Sequence, residues 1–404
     1  MDSSTGLRAA DLRQSNLAAV IGVLRSGDAS RSELVAATGL TRSAIAGLIV
    51  ELGELGLVVE SAGEPTGRPG RPSPRARLIP GAVGALAVDV SVTRLAVAIV
   101  GLDGRVLRSV ERSGERSDAT PTSTVADIVE MAERIGVGSS DGSPALVGVG
   151  VAIPGLVREH DGLVVVAPNL GWAEVDIVTP LRDALTLRTG LDLPIGIGNE
   201  SDLGAVAEAR FGAGSGSRNI LFVHGDVGVG GSIIVDGGRV SGGSGYAGEV
   251  GHLVVNPDGV PCRCGGSGCW ETEIGERVLL GRAGLDPNGG WAAISDLMTA
   301  AARGDREVMA ALALQGRWMG VGLAGLINVL DPERIVLGGV LGELLELVRD
   351  ELDAELARRR FGPSARRIPV VAAELGSDSL LVGAAELALG PALADPSRWA
   401  EVAY

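Results

Sequence analysis

Lysine is missing from this chain, so all 35 of its basic residues are arginine. Aromatic residues are almost as scarce, at 2% of the sequence. The interior must therefore be built from valine, leucine, isoleucine and alanine. A chain of 404 residues suffices for about two or three domains, each with a core of its own. We read the exclusive use of arginine as a base-composition bias of the genome and attach no function to it.

Net positive charge and long apolar runs are also lacking. The formal net charge of −15 argues against nonspecific binding of nucleic acid or anionic membrane by the whole molecule, although it allows a local basic patch. The longest uncharged apolar run toward the C-terminus, Trp318–Leu330, is too short to span a bilayer and predicts a buried helix. Met1-Asp2-Ser3-Ser4 is not a basic region followed by an apolar one. We therefore expect no signal peptide and a cytoplasmic protein.

Cysteine is limited to one short stretch, Cys262, Cys264 and Cys269, with His252 just upstream. Three thiolates and one imidazole form a complete tetrahedral zinc shell, and glycine spacers let the backbone fold around so small an ion. A disulfide is the alternative, but three cysteines leave one over, and a Cys-x-Cys pair is awkward to bridge. Chance clustering this tight is rare. The sequence therefore predicts a structural Zn²⁺ ion.

The first sixty residues carry the pattern of three short helices. Apolar residues recur at helical spacing over Leu12–Leu24 and predict the first helix. Ser30 and Glu33 have the spacing of a capping box for a second helix, which ends at Gly39. Leu40-Thr41-Arg42-Ser43 then opens a third helix. Two short helices joined by a tight glycine turn are typical of a helix-turn-helix. The residues that would read or anchor the DNA major groove are Thr41, Arg42 and Ser43.

A basic, proline-rich stretch follows these helices. Gly56–Glu60 looks like a first wing strand, and Gly67–Arg77 then carries four arginines and no acid. Gly-Arg-Pro is stiff and extended, and narrow minor grooves attract arginine, so Arg68 and Arg71 would reach the DNA backbone or minor groove. A helical hairpin without a nucleic-acid role and a plain Pro/Gly linker are the alternatives. We interpret residues 1–66 as a winged helix-turn-helix and residues 67–82 as a wing and linker.

From Gly84 onward, apolar strands alternate with glycine turns and helices. Ala85–Val90, Leu95–Val100 and Arg105–Val110 predict an antiparallel meander. Later apolar runs predict further strands, with helices such as Leu203–Phe211 between them. This alternation implies an α/β architecture.

Several motifs in this region resemble the ROK family (repressors, open reading frames and kinases), and the resemblance covers essentially the whole chain. The most specific match is Gly248-Glu249-Val250-Gly251-His252, followed by the cysteine cluster and Cys269-Trp270-Glu271-Thr272. Supporting matches are Pro154-Gly155, Pro168-Asn169-Leu170-Gly171-Trp172, Gly198-Asn199-Glu200, Asp331–Gly339 and Leu380–Ala385. The resemblance implies a two-lobed α/β actin-like (ribonuclease-H-like) ATPase fold, with a sugar cleft between the lobes.

The resemblance also implies domains and ligands. One lobe would span residues 83–198, with the segment from about 376 to 404 returning to it, and the lobe with the zinc site would span residues 199–375. Zinc would be bound by His252, Cys262, Cys264 and Cys269. A sugar would be held by Asn199, Glu200, Glu249, His252 and Glu271, beside Asn169 and the backbone of Gly155. Carboxylates and amides match the donors and acceptors of sugar hydroxyls, and the two ring nitrogens of His252 could couple the two sites.

Three segments of this sequence differ from the corresponding motifs of the kinases of that family. Their Asp-x-Gly-Gly-Thr turn wraps ATP phosphates, whereas the matching Asp89-Val90-Ser91-Val92-Thr93 contains neither glycine. Glu200 stands where those kinases have a catalytic aspartate, and a base displaced by about 1 Å can cost roughly a hundredfold in rate. Asp226-Val227 replaces a favoured Gly-Thr. These departures predict that the chain is not an enzyme.

Relatives with an N-terminal winged domain are mostly sugar-responsive regulators. We therefore expect a cytoplasmic repressor that binds a palindromic double-stranded DNA operator as a homodimer or homotetramer. A sugar or sugar derivative would close the cleft and change the spacing of the paired DNA-binding domains. One alternative is an ATP-dependent sugar kinase with an appended DNA-binding domain. The other is a regulator controlled by a partner protein, as in some relatives that resemble this chain.

Overall fold

A computed structural model describes residues 9–61, 74–139, 144–359, 361 and 368–395. The helices are α1 Ala9–Leu24, α2 Arg31–Thr38, α3 Arg42–Glu54, α4 Pro121–Arg134, α5 Val178–Thr189, α6 Glu200–Phe211, α7 Glu271–Ile274, α8 Glu276–Arg282, α9 Gly290–Ala302, α10 Arg306–Leu330, α11 Gly339–Glu343, α12 Leu345–Arg359 and α13 Ser379–Ala394. The strands are β1 Ala29–Ser30, β2 Val58–Ser61, β3 Arg75–Leu78, β4 Val83–Val90, β5 Arg94–Gly101, β6 Val106–Ser113, β7 Ala145–Ile153, β8 Leu156–Arg158, β9 Leu163–Ala167, β10 Trp172–Asp176, β11 Ile195–Asn199, β12 Ile220–Gly225, β13 Val229–Val235, β14 Gly238–Arg239, β15 Arg334–Gly338 and β16 Val370–Ala372. Two short 3₁₀ turns lie at Val250–His252 and Gly376–Asp378.

An N-terminal unit, α1 to β3, combines three helices with a small sheet of strand order β1-β3-β2. The side chain of Ser30 accepts the backbone N–H of Glu33 and so caps α2. The side chain of Glu33 accepts the backbone N–H of Ser30, so the predicted capping box is present. Gly39, at φ +72°, ends α2 in the left-handed region. Thr41 caps α3, which is bent from α2 by 112°.

The segment interpreted as a wing and linker, residues 67–82, contains the strand β3. Ala76 and Leu78 face the core of the N-terminal unit, at 1% and 7% exposure. Arg75 points outward and forms an ion pair with Glu33 on α2. This alternation of apolar and basic residues is what a strand with one buried face requires. The last strand of the N-terminal unit therefore ends only a few residues before β4.

The first lobe is built on a five-stranded sheet of order β11-β7-β4-β5-β6. The strands β4, β5 and β6 form the predicted antiparallel meander, while β7 and β11 run parallel to β4. One face of this sheet packs against α4 and α5, and α13 covers the other. The C-terminal helix therefore packs on the sheet of the first lobe. A small sheet of β10-β9-β8 extends from the ends of β7.

The second lobe repeats this plan with a five-stranded sheet of order β14-β13-β12-β15-β16. One face carries α8 to α12, and α6 packs against β12 and β13 on the other. Helix α6 also packs along α13, so it lies between the two sheets. Two sheets flanked by helices and facing a shared cleft form the predicted two-lobed α/β body, which runs from β4 to α13.

Helix α10 contains the predicted buried segment Trp318–Leu330 but begins earlier, at Arg306. Among single helices of the described residues, it alone is long and apolar enough to cross a membrane, and 56% of its most apolar window is buried inside the protein. The bent pair α2 and α3 passes the same test only when taken together. Leu312, Met319 and Leu323 pack into the core of the second lobe, which explains the apolar composition of α10.

Candidate ligand cleft and metal-ligand cluster

The structure brings the four predicted metal ligands, His252, Cys262, Cys264 and Cys269, into one cluster. Their ligand atoms all lie within 4.8 Å of one another, and the three cysteines are free. Sγ of Cys264 lies 3.6 Å from Sγ of Cys269, and Sγ of Cys262 lies 3.7 Å from Nδ1 of His252. Ligands bound at about 2.3 Å in a tetrahedron are separated by about 3.7 Å. The cluster could therefore hold a metal ion.

The loop that carries the cysteines has little freedom to adopt another shape. Gly268 has φ of +71°, and a Cβ there would lie 1.7 Å from the carbonyl oxygen of Asn256, so only glycine fits. Trp270 is 1% exposed, and its Nε1 donates to the carbonyl oxygen of Trp318 at 2.9 Å. This contact anchors the loop on α10 immediately after Cys269.

A first cavity of about 140 Å³ lies between the lobes beside this cluster. It is lined by every residue that the resemblance assigns to a sugar, namely Gly155, Asn169, Asn199, Glu200, Glu249, His252 and Glu271. The structure thus gathers residues from five separate motifs around one space. Their role in binding a sugar stays a prediction.

Asn199 also has a structural role, because it caps α6. Its Oδ1 accepts the backbone N–H groups of Ser201 at 2.8 Å and Asp202 at 3.2 Å. Its Nδ2 donates to the carbonyl oxygen of Gly155 at 2.8 Å and so connects the end of β11 to the β7–β8 turn. One amide hydrogen remains for a ligand. Asn199 therefore fixes the start of α6, where Glu200 stands, as well as lining the first cavity.

Acidic side chains crowd the first cavity. Burial raises the pKa of Glu200 well above its usual range, and the negative charges of Asp226 and Asp89 raise it further. Burial also raises the pKa of Glu249, an effect that His252 partly offsets. A carboxyl group that keeps its proton can donate as well as accept a hydrogen bond. Burial thus favours the protonated form of both carboxyl groups relative to a carboxyl group in water.

His252 stands between the metal-ligand cluster and the first cavity. Its Nδ1 lies 3.7 Å from Sγ of Cys262 and 3.6 Å from Oε1 of Glu271. Its Nε2 lies 3.9 Å from Oε2 of Glu249. Oε1 of Glu271 in turn accepts a hydrogen bond from Sγ of Cys262 at 2.9 Å. One ring nitrogen is directed toward the cluster and the other toward the cavity, as coupling between the two sites requires.

Sequence reasoning did not assign three further lining residues to this cavity: Ser201, Asp226 and Arg263. Oγ of Ser201 is buried and has no hydrogen-bond partner among the described residues. Nη1 of Arg263 donates to Oδ1 of Asn169 at 3.0 Å and joins the cysteine loop to the first lobe. A signal was present, since Arg263 lies between two cysteines of the cluster and Ser201 directly follows Glu200.

A second cavity of about 400 Å³ shares Ser91 and Asp226 with the first. Asp89 is fully buried at its edge and forms an ion pair with Arg94. Burial raises the pKa of Asp89, although Arg94 opposes the shift. Oγ of Ser91 donates to Oδ2 of Asp226 at 2.8 Å. The two segments that were compared with kinase phosphate loops therefore meet at this cavity.

The described residues predicted to contact DNA, Thr41, Arg42 and Ser43, are exposed at the start of α3. Oγ1 of Thr41 accepts the backbone N–H of Ala44 at 3.2 Å and lies 3.1 Å from Oγ of Ser43. Arg42 projects from the first turn of α3. The other two predicted contacts, Arg68 and Arg71, lie outside the described residues. All five DNA contacts stay predictions.

Comparison with known proteins shows that the chain is similar to both glucokinases and repressors. The sequence pattern of the ROK family matches residues 85–390. The glucokinase of Streptomyces coelicolor is 31% identical over 323 residues, which cover 76% of this chain and 98% of the glucokinase. The xylose repressor of Bacillus subtilis is 25% identical over 302 residues, which cover 75% of this chain and 76% of the repressor.

A solved structure of similar fold extends over the N-terminal unit as well. A ROK family transcriptional regulator, homologous to the E. coli MLC protein, superposes with a TM-score of 0.73 at 22% identity. The match covers 97% of this chain and 99% of that protein. At this identity the likeness shows the fold of the chain and nothing finer.

The prediction that the chain is not an enzyme is wrong. It rested on three departures from kinase motifs, yet a glucokinase is 31% identical over most of the body. Substitutions in phosphate-binding turns change how a backbone meets a phosphate, but they do not show that the reaction is lost. The relatives include both repressors and sugar kinases.

Proposed function

The chain belongs to the ROK family, and on that premise we propose that it is a transcription regulator that binds operator DNA through its N-terminal unit and a sugar in its first cavity. The observation that carries this proposal is the N-terminal unit itself, two helices bent at 112° and followed by a strand pair, placed ahead of the ROK body. The regulator structure covers 97% of the chain, whereas the glucokinase match covers 76%.

In this proposal the N-terminal unit is a winged helix-turn-helix. Helix α3 would enter the major groove, with Thr41, Arg42 and Ser43 at its leading end. The β2–β3 pair would form the wing, and Arg68 and Arg71 between these strands would reach the DNA backbone or minor groove. A two-fold palindromic operator would be matched by a homodimer.

The first cavity would hold the sugar. Glu200, Glu249 and Glu271 supply acceptors and, where protonated, donors, while Asn169 and Asn199 add amide groups. An analogue that lacks one hydroxyl would leave one of these buried groups without a partner, which is how such a site discriminates among sugars.

The metal-ligand cluster would hold Zn²⁺. Three cysteines and one histidine are the ligand types that zinc prefers, and a set of four protein ligands is typical of a structural site. Burial raises the pKa of the Cys262 and Cys269 thiols, so their thiolates need a nearby cation. When bound, the ion would brace the loop that carries Arg263 and leads into Glu271.

A second candidate activity, ATP-dependent phosphorylation of the sugar, is favoured by the position of Glu200 and by the glucokinase relatives. Glu200 lines the first cavity, and its raised pKa makes it a stronger acceptor for the proton of a sugar hydroxyl. The second cavity lies directly beyond Asp226 and could receive the phosphate donor. A coupled assay of ADP release with D-glucose, comparing wild type and Glu200→Gln, tests this activity directly.

DNA binding is tested with a fragment from directly upstream of the chain's own coding sequence. We expect Arg42→Ala to weaken binding by roughly 1–3 kcal/mol if Arg42 contacts a base through both guanidinium branches. The matched control is Arg188→Ala on α5, which also removes an exposed arginine but lies in the body. A gel-shift midpoint that is the same in both variants would remove Arg42 from the interface.

The effector is tested on the same fragment with D-glucose and D-xylose, the sugars acted on or sensed by the named relatives. A change in the midpoint with either sugar supports the proposal. If neither sugar binds while a partner protein changes the midpoint, control by a protein replaces control by a sugar.

A further inference from the structure

Arg25 follows the last residue of α1 and is buried, at 5% exposure. It forms an ion pair with the buried carboxylate of Glu386 on α13. Its Nε donates to the carbonyl oxygen of Leu102 in the β5–β6 turn at 2.6 Å. Its guanidinium carbon lies 5.2 Å from the ring centroid of Phe211, the last residue of α6. One arginine of the N-terminal unit therefore contacts three elements of the body.

The same junction joins α6 to α13. Nη1 of Arg210 on α6 donates to Oε2 of Glu386 at 2.9 Å. Two residues earlier, the fully buried carboxylate of Glu208 accepts Oγ–H of Ser379 at 2.6 Å and the backbone N–H of Leu375 at 2.9 Å. These charge-assisted hydrogen bonds hold the end of α6 to the start and the middle of α13.

The opposite end of α6 lies at the first cavity. Glu200 and Ser201 line the cavity in its first turn, while Phe211 lies under Arg25 in its last. The helix has 12 residues and spans roughly 18 Å at about 1.5 Å per residue. Its own backbone hydrogen bonds keep this length fixed. A displacement of the first turn of α6 therefore displaces its last turn as well.

The N-terminal unit shares its apolar core with these helices. Leu17 and Ile21 of α1 belong to one continuous cluster that also contains Leu203 of α6 and Leu381 of α13. Separating α1 from this cluster would expose apolar surface and break the ion pair of Arg25 with Glu386, leaving Glu386 with Arg210 alone. Helix α1 must therefore adjust when α6 and α13 move.

We propose that α6 transmits ligand binding in the first cavity to the N-terminal unit through Arg25, whose contacts with Phe211 and Glu386 convert a shift of α6 into a reorientation of α1. This regulation rests on the proposed function, since it needs a sugar in the cavity and DNA on the N-terminal unit. A ligand that binds Glu200 and Ser201 better in one position of α6 favours the matching orientation of α1. By reciprocity, bound DNA changes the affinity for the sugar by the same factor.

The test is a ratio: the dissociation constant for the upstream DNA fragment with a saturating sugar, divided by the constant without it. D-glucose and D-xylose are the probes. In wild type we expect the ratio to differ from 1 by about 5- to 150-fold. Arg25→Met combined with Glu386→Leu replaces the ion pair by an apolar pair and strands neither charge, since Arg210 is half exposed and can turn to water. This double variant should bind each ligand within about threefold of wild type and show a ratio of about 1.

Arg188→Gln is the matched control, because it removes an exposed ion pair with Glu133 from the body and should keep the wild-type ratio. A double variant that keeps the wild-type ratio overturns the proposal. If the double variant does not fold, Phe211→Leu carries the test. It removes only the aromatic face beneath Arg25 and should bring the ratio about threefold or more closer to 1. An unchanged ratio in Phe211→Leu is equally decisive against the coupling.

Failure of the proposed function gives a different result. If wild type binds neither sugar, or binds no DNA, the regulator assignment fails and the coupling fails with it. If wild type binds both and the sugar changes its DNA affinity, the variants then judge the coupling alone. If wild type binds both and the ratio is already 1, the regulator keeps its ligands but the coupling is refuted.

Discussion

The two cavities of the body differ in how their polar groups are occupied. In the second cavity, Asp89 is paired with Arg94 and Ser91 donates to Asp226, yet Oδ1 of each of these two aspartates and Nδ1 of His224 are buried without a hydrogen-bond partner among the described residues. In the first cavity, Oγ of Ser201 is likewise buried without a partner, and the carboxylate of Glu200, a half-buried residue, forms no hydrogen bond or ion pair with the residues that the structure describes. Unpaired buried polar groups are costly, so they mark where an external partner is expected. The comparison teaches that both cavities hold unpaired polar atoms, and that those of the second lie beside an ion pair and a hydrogen bond that are already formed.

The largest effect is expected from removing one ligand of the metal-ligand cluster, which adjoins the first cavity only. Cys264→Ser should reduce the zinc content from about one ion per chain to near zero, because the three remaining ligands no longer complete the tetrahedron. Elemental analysis measures this directly. The control is Ser267→Ala in the same loop. Wild-type metal content in Cys264→Ser would contradict the ligand assignment.

The next effect distinguishes the two cavities by changing one carboxyl group in each of them to an amide. Glu200→Gln should weaken sugar binding by about 1–3 kcal/mol, because an amide cannot replace both the donor and the acceptor roles of the carboxyl group. Glu343→Gln makes the same change in the second cavity and should leave the sugar affinity unaltered. Isothermal titration with D-glucose and D-xylose measures both. Equal losses in the two variants would break the distinction between the cavities.

The smallest effect concerns Glu276, which lies against Asp226, the residue shared by both cavities. Burial raises the pKa of Glu276 from its ordinary value of 4.5 to about 7, and the charge of Asp226 adds to the shift. The folded chain therefore binds this proton more tightly than the unfolded chain. The resulting stability is complete below about pH 4.5 and is lost as the pH rises through about 7.

From pH 5 to pH 8, the free energy of unfolding should fall by on the order of 2 kcal/mol through this group. Glu276→Gln cannot titrate, so its stability should fall by that much less over the same range. Urea denaturation at the two pH values provides the measurement. Glu54→Gln, an exposed change on α3, should follow wild type. If Glu276→Gln also follows wild type, the group does not titrate in this window.

The sequence was most informative where interacting residues are close along the chain. The cysteines of the metal-ligand cluster, the Ser30–Glu33 capping box and the glycine turn before α3 are local patterns whose chemistry needs no knowledge of the fold. The sugar-site residues come from distant motifs, and only the family resemblance grouped them. The chemistry of these residues could be inferred from each motif, but their proximity in the fold could not.

Contacts between distant segments could not be predicted in this way. Arg25 and Glu386 are 361 positions apart, and each alone looks like an ordinary surface charge on a helix. The strand β3 was predicted only as part of a wing and linker, without bounds of its own. The prolines and arginines around it obscured the strand, although Ala76 and Leu78 alternate with Arg75 and Arg77 as a half-buried strand requires. Here composition outweighed periodicity, and periodicity was the better guide.

The packing of α1 against α13 has a consequence for truncation. A fragment beginning at β4 would retain both lobes and the cleft, but Leu381 and its neighbours on α13 would lose the cover that α1 now gives them. An exposed apolar surface of this kind favours self-association. A natural protein with this body but without the N-terminal unit would therefore need hydrophilic residues on the side of α13 that α1 covers here.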